Sequence, residues 1–387
     1  MNKKELELYI HIPFCVRKCS YCDFLSAPDT EQTREAYMAA LFAEIGGRAK
    51  DYSDRTVTSI FIGGGTPSLL SGEQIGQLMD RIREQFAMAQ DAEITMEVNP
   101  GTASAEKLRN FYTAGINRLS IGMQSAQAEE LKKLGRIHDF EGFCQVYREA
   151  VEAGFTNINV DIMSGLPGQT LASYRDTLEK VLHLEPMPQH ISAYSLIVEE
   201  GTPFAAMAER GELPLPEEET ERAMYEETIE VLAKYGFHRY EISNYARDGY
   251  ECRHNVGYWI RRDYLGFGIG AASLIDNVRF QNEKSLGAYL AHPLESREEE
   301  QTLTVQDRME ETMFLGLRLT RGVSCVDFAE QYGRTVEEVY GEVIARNVAD
   351  GLLTVTERKE NQKKDRFLAL TKRGLDLSNY VMAQFLF

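Results

Sequence analysis

The sequence predicts an α/β chain: a parallel β/α, partial TIM-type barrel with a smaller α+β, winged-helix-like C-terminal module. Three observations predict it. Short apolar segments alternate with helix-period segments through the first two-thirds of the 387 residues. The unusual polar and glycine residues fall at the carboxyl ends of those apolar segments. After about Glu200 the pattern changes, and the chain closes with helices and two strands joined by a charged turn.

The expected strands are Leu6–Ile12, Val57–Ile62, Ile94–Asn99, Arg118–Gln124, Asn157–Met163 and His190–Ile197. Between them lie helix-period segments at Thr33–Ala49, Gly72–Phe86, Ala105–Ala114, Ala128–Leu134, Glu141–Ala153 and Leu171–Leu184. Strands separated by helices of this length require right-handed crossovers and therefore a parallel sheet. Six such units make a barrel or an incomplete barrel. A long acidic helix is expected from Pro216 to Tyr235, then an aromatic and glycine-rich stretch containing RHNVGYW. The acidic stretch His292–Thr302 reads as a linker. From Val305 on, helices precede GLLTVTERKENQKKDRFLALTKRG, a hairpin with a charged turn and then a helix. The implied division is 1–235 for the barrel, 236–300 for the aromatic extension and 301–387 for the C-terminal module.

Composition narrows the function. With 43% hydrophobic residues the chain can bury a large core. A net charge of −18 argues against non-specific nucleic-acid binding, which needs a basic surface. Most of the acids sit on solvated helix faces. Six unevenly spaced cysteines do not form a secreted disulfide framework. The start, MNKKELELYIHIPF, lacks an apolar run with a cleavage site, and no stretch is long enough to span a bilayer. A cytoplasmic location is expected.

The strongest motif is HIPFCVRKCSYCDF, which places Cys15, Cys19 and Cys22 on one loop after the first strand. Three thiolates can hold three corners of a cuboidal iron–sulfur cluster, leaving one iron open. The alternative is zinc, with a fourth ligand from Cys144, Cys252, Cys325 or a histidine. The loop Gly63-Gly64-Gly65-Thr66-Pro67 follows the second strand; it suits close backbone approach to a ligand and is not a lysine-bearing phosphate loop. Glu97, Gln124 and Asp161 stand near the ends of the third, fourth and fifth strands. That is the face of β/α barrels that carries chemistry. Buried carboxylates at Glu97 and Asp161 need partners, either structural hydrogen bonds or ligand amino and hydroxyl groups. Arg136 suits a ligand carboxylate, or is simply a surface arginine. In RHNVGYW, His254, Asn255, Tyr258 and the single tryptophan Trp259 cluster near Cys252. Such a group suits a flat macrocycle with an axial histidine, or a core cluster with a hydrogen-bonded histidine.

These segments carry a resemblance that runs along essentially the whole chain. YIHIPFCVRKCSYCDF, FIGGGTPSLL, EVNPGT, NRLSIGMQS, LGRIHDF, NVDIMSGLPGQT and YEISNYA occur in order. The chain resembles the radical S-adenosylmethionine (SAM) superfamily, in its coproporphyrinogen dehydrogenase-like group. HNVGYW matches the HNxxYW pattern of the HemW-type haem-chaperone branch. The resemblance implies a [4Fe–4S] cluster on Cys15, Cys19 and Cys22, with SAM at the open iron. It implies cofactor contacts at Tyr9, Tyr21, Gly64, Gly65, Thr66, Glu97, Gln124, Arg136 and Asp161. His254, Asn255, Tyr258 and Trp259 belong to the haem-linked motif, with His254 the first candidate for the iron and Cys252 the second. Implied partners are haem and recipient haemoproteins, including membrane-bound respiratory ones, with peripheral membrane association and a homodimer. Decarboxylating relatives carry a fourth cysteine two residues after the third; here that residue is Phe24. The resemblance thus implies a chaperone, and leaves a radical enzyme acting on a porphyrin as the alternative.

Overall fold

The computed structural model describes residues 3–360 and 363–386. Six parallel strands run in sequence order: β1 (Lys4–Ile12), β2 (Arg55–Gly64), β3 (Ala87–Val98), β4 (Arg118–Gln124), β5 (Ile158–Ser164) and β6 (His190–Ser195). All six expected strands are present, with ends moved by a few residues. The exception is β3, which starts seven residues earlier, at Ala87. The six intervening helices are also present; that at Gly72–Gln85 opens with a capping box between Ser71 and Gln74.

Alternation along the strands divides their two faces. Leu6, Leu8, Ile10 and Ile12 of β1, Ile60 and Ile62 of β2, and Leu119, Ile121 and Met123 of β4 are buried under the helices. The opposite face is largely polar. Register aligns Glu7 with Ser59, and Ser59 with Glu93. It aligns Asn159 with His190 and Asp161 with Ser192. A parallel sheet with one polar face needs something to satisfy that face, and the chain supplies it after residue 236.

There the chain uses both edges of the sheet. β7 (His238–Arg239) and β8 (Asn244–Ala246) extend the β6 edge. The helix Arg253–Trp259 then lies against β2 on the polar face. The Glu93 carboxylate accepts from the backbone N–H groups of Arg253 and His254 at 3.1 and 3.2 Å, capping that helix from inside the sheet. β9 (Tyr264–Phe267) pairs in parallel with β1 at the far edge. β10 (Ala272–Ile275), β11 (Val278–Asn282) and β12 (Arg297–Thr302) continue outward as antiparallel strands. The result is an open twelve-stranded sheet, an incomplete barrel.

The linker expected at His292–Thr302 is corrected here: Arg297–Thr302 is the edge strand β12. Every residue of it is exposed, so no apolar alternation marks it, and its charges suit an unpaired edge.

Residues from Val305 build a second core around Met313, Leu317, Phe328, Leu368 and Phe385. Helices Val305–Gly316, Cys325–Tyr332 and Val336–Ala349 pack with a small sheet of β13 (Val323–Ser324), β14 (Leu353–Glu360) and β15 (Lys363–Leu370). The expected helices and hairpin are therefore present; the tip of the hairpin, 361–362, lies outside the described residues. The module is tied to the body by Thr320 N–H donating to the Tyr240 carbonyl at 2.9 Å and by Arg318 over the Trp259 ring at 4.3 Å. Among the described residues no helix is long and apolar enough to cross a membrane.

Candidate functional site

A cavity of about 300 Å³ opens at the carboxyl ends of the six strands. The loop after β1 forms one wall. Backbone bonds pin it: Cys15 N–H to the Ala27 carbonyl at 3.1 Å, and Ser20 N–H to the Leu134 carbonyl at 3.0 Å. Cys15, Cys19 and Cys22 are all free, half-buried and in the lining. Burial pushes the Cys22 thiol up, and the neighbouring Cys19 and Cys15 add to it. Among the described residues no three His, Cys, Asp or Glu side chains gather closely enough to hold a single metal ion. A cuboidal cluster spreads its thiolates over separate irons, so it does not need the close gathering that a single ion does.

The glycines of the second loop are there for close approach. Gly64 has φ +112°, and a Cβ on it would meet the His11 ring at 2.5 Å. A Cβ on Gly65 would meet the Phe14 carbonyl oxygen at 2.6 Å. Only glycine lets this loop sit against the cysteine loop. Thr66 follows, its hydroxyl 3.5 Å from the Cys15 sulfur.

Polar side chains from β3 to β6 complete the wall. Glu97 accepts from Gly64 N–H at 3.0 Å. Burial, aided by the Asp161 charge, pushes its carboxyl up to about 8. Asp161 accepts from Asn159 Nδ2 at 2.7 Å and from the Ser120 hydroxyl at 3.1 Å, yet burial still raises it. Gln124 ends β4 with φ +68°, the left-handed region that favours glycine. Its amide oxygen accepts from the Tyr194 hydroxyl at 2.9 Å. Arg136 donates to the Gly122 carbonyl at 2.7 Å and stands 3.9 Å from the Cys19 sulfur. Its Nε is buried without a partner. A buried donor left unpaired costs about 1–3 kcal/mol, so this guanidinium is set up for an acceptor that arrives from the cavity.

Of the expected cofactor residues, Tyr21, Gly64, Gly65, Thr66, Glu97, Gln124, Arg136 and Asp161 line this cavity together with the three cysteines. Tyr9 does not. Its hydroxyl pairs with His11 Nδ1 at 3.0 Å, and it lines a second cavity of about 540 Å³. Sequence reasoning missed Asn99, Ser120 and Tyr194 in the first lining. Two of them obey the strand-end rule that found the others, Tyr194 near the end of β6 and Asn99 just after β3, while Ser120 stands early in β4.

The second cavity shares Phe24, Gly64 and Glu97 with the first. Tyr258 and Trp259 line it; His254, Asn255 and Cys252 do not. His254 is 1% exposed, with Nδ1 2.9 Å from the Ser59 hydroxyl and Nε2 3.0 Å from the Tyr258 hydroxyl. Burial, with Arg118 and Arg262 nearby, pushes its imidazole down to about 3, so it is neutral at neutral pH. Both ring nitrogens are occupied, and the histidine props Tyr258 against the cavity. Asn255 is half-buried on the same helix. Cys252 is fully buried, 3.5 Å from Glu93 Oε1, and burial pushes its thiol up to about 12.

Comparison with known proteins agrees with this layout. Residues 9–181 match the family model of the radical SAM superfamily, and residues 303–377 that of the HemN C-terminal domain. The haem chaperone HemW of Bacillus subtilis (strain 168) is 39% identical over 98% of both chains. That of Lactococcus lactis subsp. lactis (strain IL1403) is 36% identical over 100% of this chain and 98% of its own. The chain belongs to the HemW haem-chaperone family of the radical SAM superfamily. A solved structure of coproporphyrinogen III oxidase (HemN) from Escherichia coli, a radical SAM enzyme, is 28% identical with a TM-score of 0.84. It covers 100% of this chain and 91% of that one. The radical SAM superfamily works with a [4Fe–4S] cluster and SAM. The cysteine loop, the glycine cradle and the unpaired Arg136 Nε fit that pair of groups.

Proposed function

We propose that this chain binds haem and passes it to recipient haemoproteins. The observation that carries the reading is its relation, end to end, to haem chaperones, at 39% identity over 98% of both chains in one case. Phe24 supports it, because the decarboxylating relatives carry a cysteine there.

In this reading Cys15, Cys19 and Cys22 hold the cluster. The bound cluster supplies an iron open to the amino and carboxylate groups of SAM, and an electron for its sulfonium. The chain does the rest. Arg136 meets the ligand carboxylate. Glu97, beside the Gly64 amide, faces the amino group, while Gln124 and Asp161 hold the ribose. Tyr21 packs on the adenine side, and Gly65 and Thr66 let the backbone close. Tyr9 backs Glu97 from the second cavity. Haem meets the His254–Trp259 segment on Tyr258 and Trp259, with Asn255 beside them. Ligation by His254 would require its Nε2 to leave Tyr258. The working division is 1–235, 236–300 and 301–387. The recipients are membrane-bound respiratory haemoproteins, met by a peripheral cytoplasmic protein acting as a homodimer.

The test is an anaerobic haem titration of cluster-loaded protein, followed by Soret absorbance, against His254→Ala. Stoichiometric binding, altered in the variant, is expected. No specific binding by the unsubstituted protein would sink the reading. A second reading, decarboxylation of coproporphyrinogen III, rests on the TM-score of 0.84 with that oxidase. Carbon dioxide released from that substrate would favour it.

A further inference from the structure

The second cavity has the size of a small-molecule site, and its walls are mostly rings and aliphatic groups: Tyr9, Tyr258, Trp259, Tyr264, Leu274 and Leu315. Tyr258 and Tyr264 meet edge to face at 4.6 Å, which fixes the angle of both rings. Such a wall suits a flat apolar ligand and carries no information about charge. The charge comes from Arg279.

Arg279 is the only lysine or arginine in the lining among the described residues. It projects from β11, directly after the turn in which Asp276 and Asn277 both have positive φ. Its Nη2 donates to Glu311 Oε1 at 2.6 Å. The other oxygen of that carboxylate accepts from Arg261 Nε at 2.8 Å. Arg261 is itself held at φ +57°, a conformation that costs a non-glycine residue energy and keeps its guanidinium on Glu311. Two guanidiniums therefore share one buried carboxylate. Asp307 caps its own helix start, where Oδ2 accepts from Thr304 N–H at 2.7 Å, and its charge also acts on Arg279. In a chain with net charge −18, a cation at an aromatic cavity is a specific placement. Arg279 is also 40% exposed, and a guanidinium has five N–H donors, more than Glu311 and Tyr264 use. The one acid in the lining, Glu97, lies at the end shared with the cluster cavity.

We propose that this cavity seats a planar tetrapyrrole carrying carboxylates, with Arg279 as its carboxylate anchor. The proposal rests on the haem-binding reading above and adds where the ligand lies and what holds its acidic edge. Aromatic walls take the ring faces, and Arg279 sets which edge points toward β11. Arginine suits the task because its planar fork pairs with a carboxylate through two parallel hydrogen bonds.

The experiment titrates full-length, cluster-loaded protein anaerobically with haem and with haem dimethyl ester, whose carboxylates are blocked. Unsubstituted protein is compared with Arg279→Ala and Arg279→Lys. Arg279→Ala is expected to weaken haem about tenfold or more and to leave the ester unchanged. Arg279→Lys should fall between. The ratio of haem to ester affinity within each variant removes any general loss of folding. An unchanged ratio in Arg279→Ala would overturn the anchor. Failure of the unsubstituted protein to bind either ligand would instead overturn the haem-binding reading beneath it.

Discussion

The two cavities share three residues and little of their chemistry. The first is polar, lined by three thiols, Arg136 and the half-buried carboxylates Glu97 and Asp161, at the carboxyl side of the sheet. The second is aromatic, with one arginine, and lies where β9 returns to pair with β1. In the first, carboxylates stand beside thiols, and burial raises Glu97 and Asp161. In the second, burial raises the phenols Tyr9 and Tyr258, and edge-to-face contact between Tyr258 and Tyr264 sets the wall. The difference separates a place built to polarise a small charged ligand from a place built to hold a flat one.

The strongest way to break this comparison is Cys19→Ser. It should abolish bound iron and sulfide in anaerobically purified protein, yet leave haem binding within about threefold, since the second cavity gains nothing from that thiol. Loss of both would show that the cavities act as one site. Next in size is Arg136→Ala. SAM should bind about 10- to 100-fold more weakly by calorimetry, because a buried charge-assisted contact is lost. Haem affinity should not move.

The third test uses pH. Glu97 and Glu7 are both pushed up to about 8, chiefly by burial, from an ordinary 4.5. The folded state then binds more protons than the unfolded state between these values, so stability falls as pH rises from about 4.5 to 8 and flattens above. Glu97→Gln, in protein without SAM, should reduce that fall in melting temperature. An unchanged profile would mean that Glu97 is ionised in the first cavity. The smallest expected effect is Tyr258→Phe, which removes the hydrogen bond to His254. It should cost about 1 kcal/mol in urea unfolding. A negligible cost would show that His254 does not prop the aromatic wall.

The first cavity was legible because its determinants are local. Each of Cys15, Gly64, Glu97 and Gln124 stands near the end of a strand that its neighbours' apolar alternation reveals, and Asp161 is the one acid within β5. The same rule would have yielded Tyr194 and Asn99 had it been applied to every strand. The second cavity resisted for the opposite reason. Tyr258 and Trp259 looked like partners of His254 in a short motif, yet His254 spends one nitrogen on Ser59, 195 residues away. Nor did anything near Arg279 in the chain announce Glu311. β12 escaped notice because an exposed edge strand of charged residues has no apolar face to show.

The sequence by itself determined the run of parallel strands, the helices between them, the thiol loop and the polar strand ends. These follow from periods of two and 3.6 residues and from residue type, both of which are read over a few neighbours. Only the tertiary structure decided that the chain, having extended the β6 edge, would cross the polar face and rejoin β1. That return buries His254, aims Tyr258 and Trp259 at a cavity, and brings Arg279 to its mouth. It depends on pairing between segments more than 250 residues apart, such as Glu7 with Tyr264, and no local pattern specifies such a pairing.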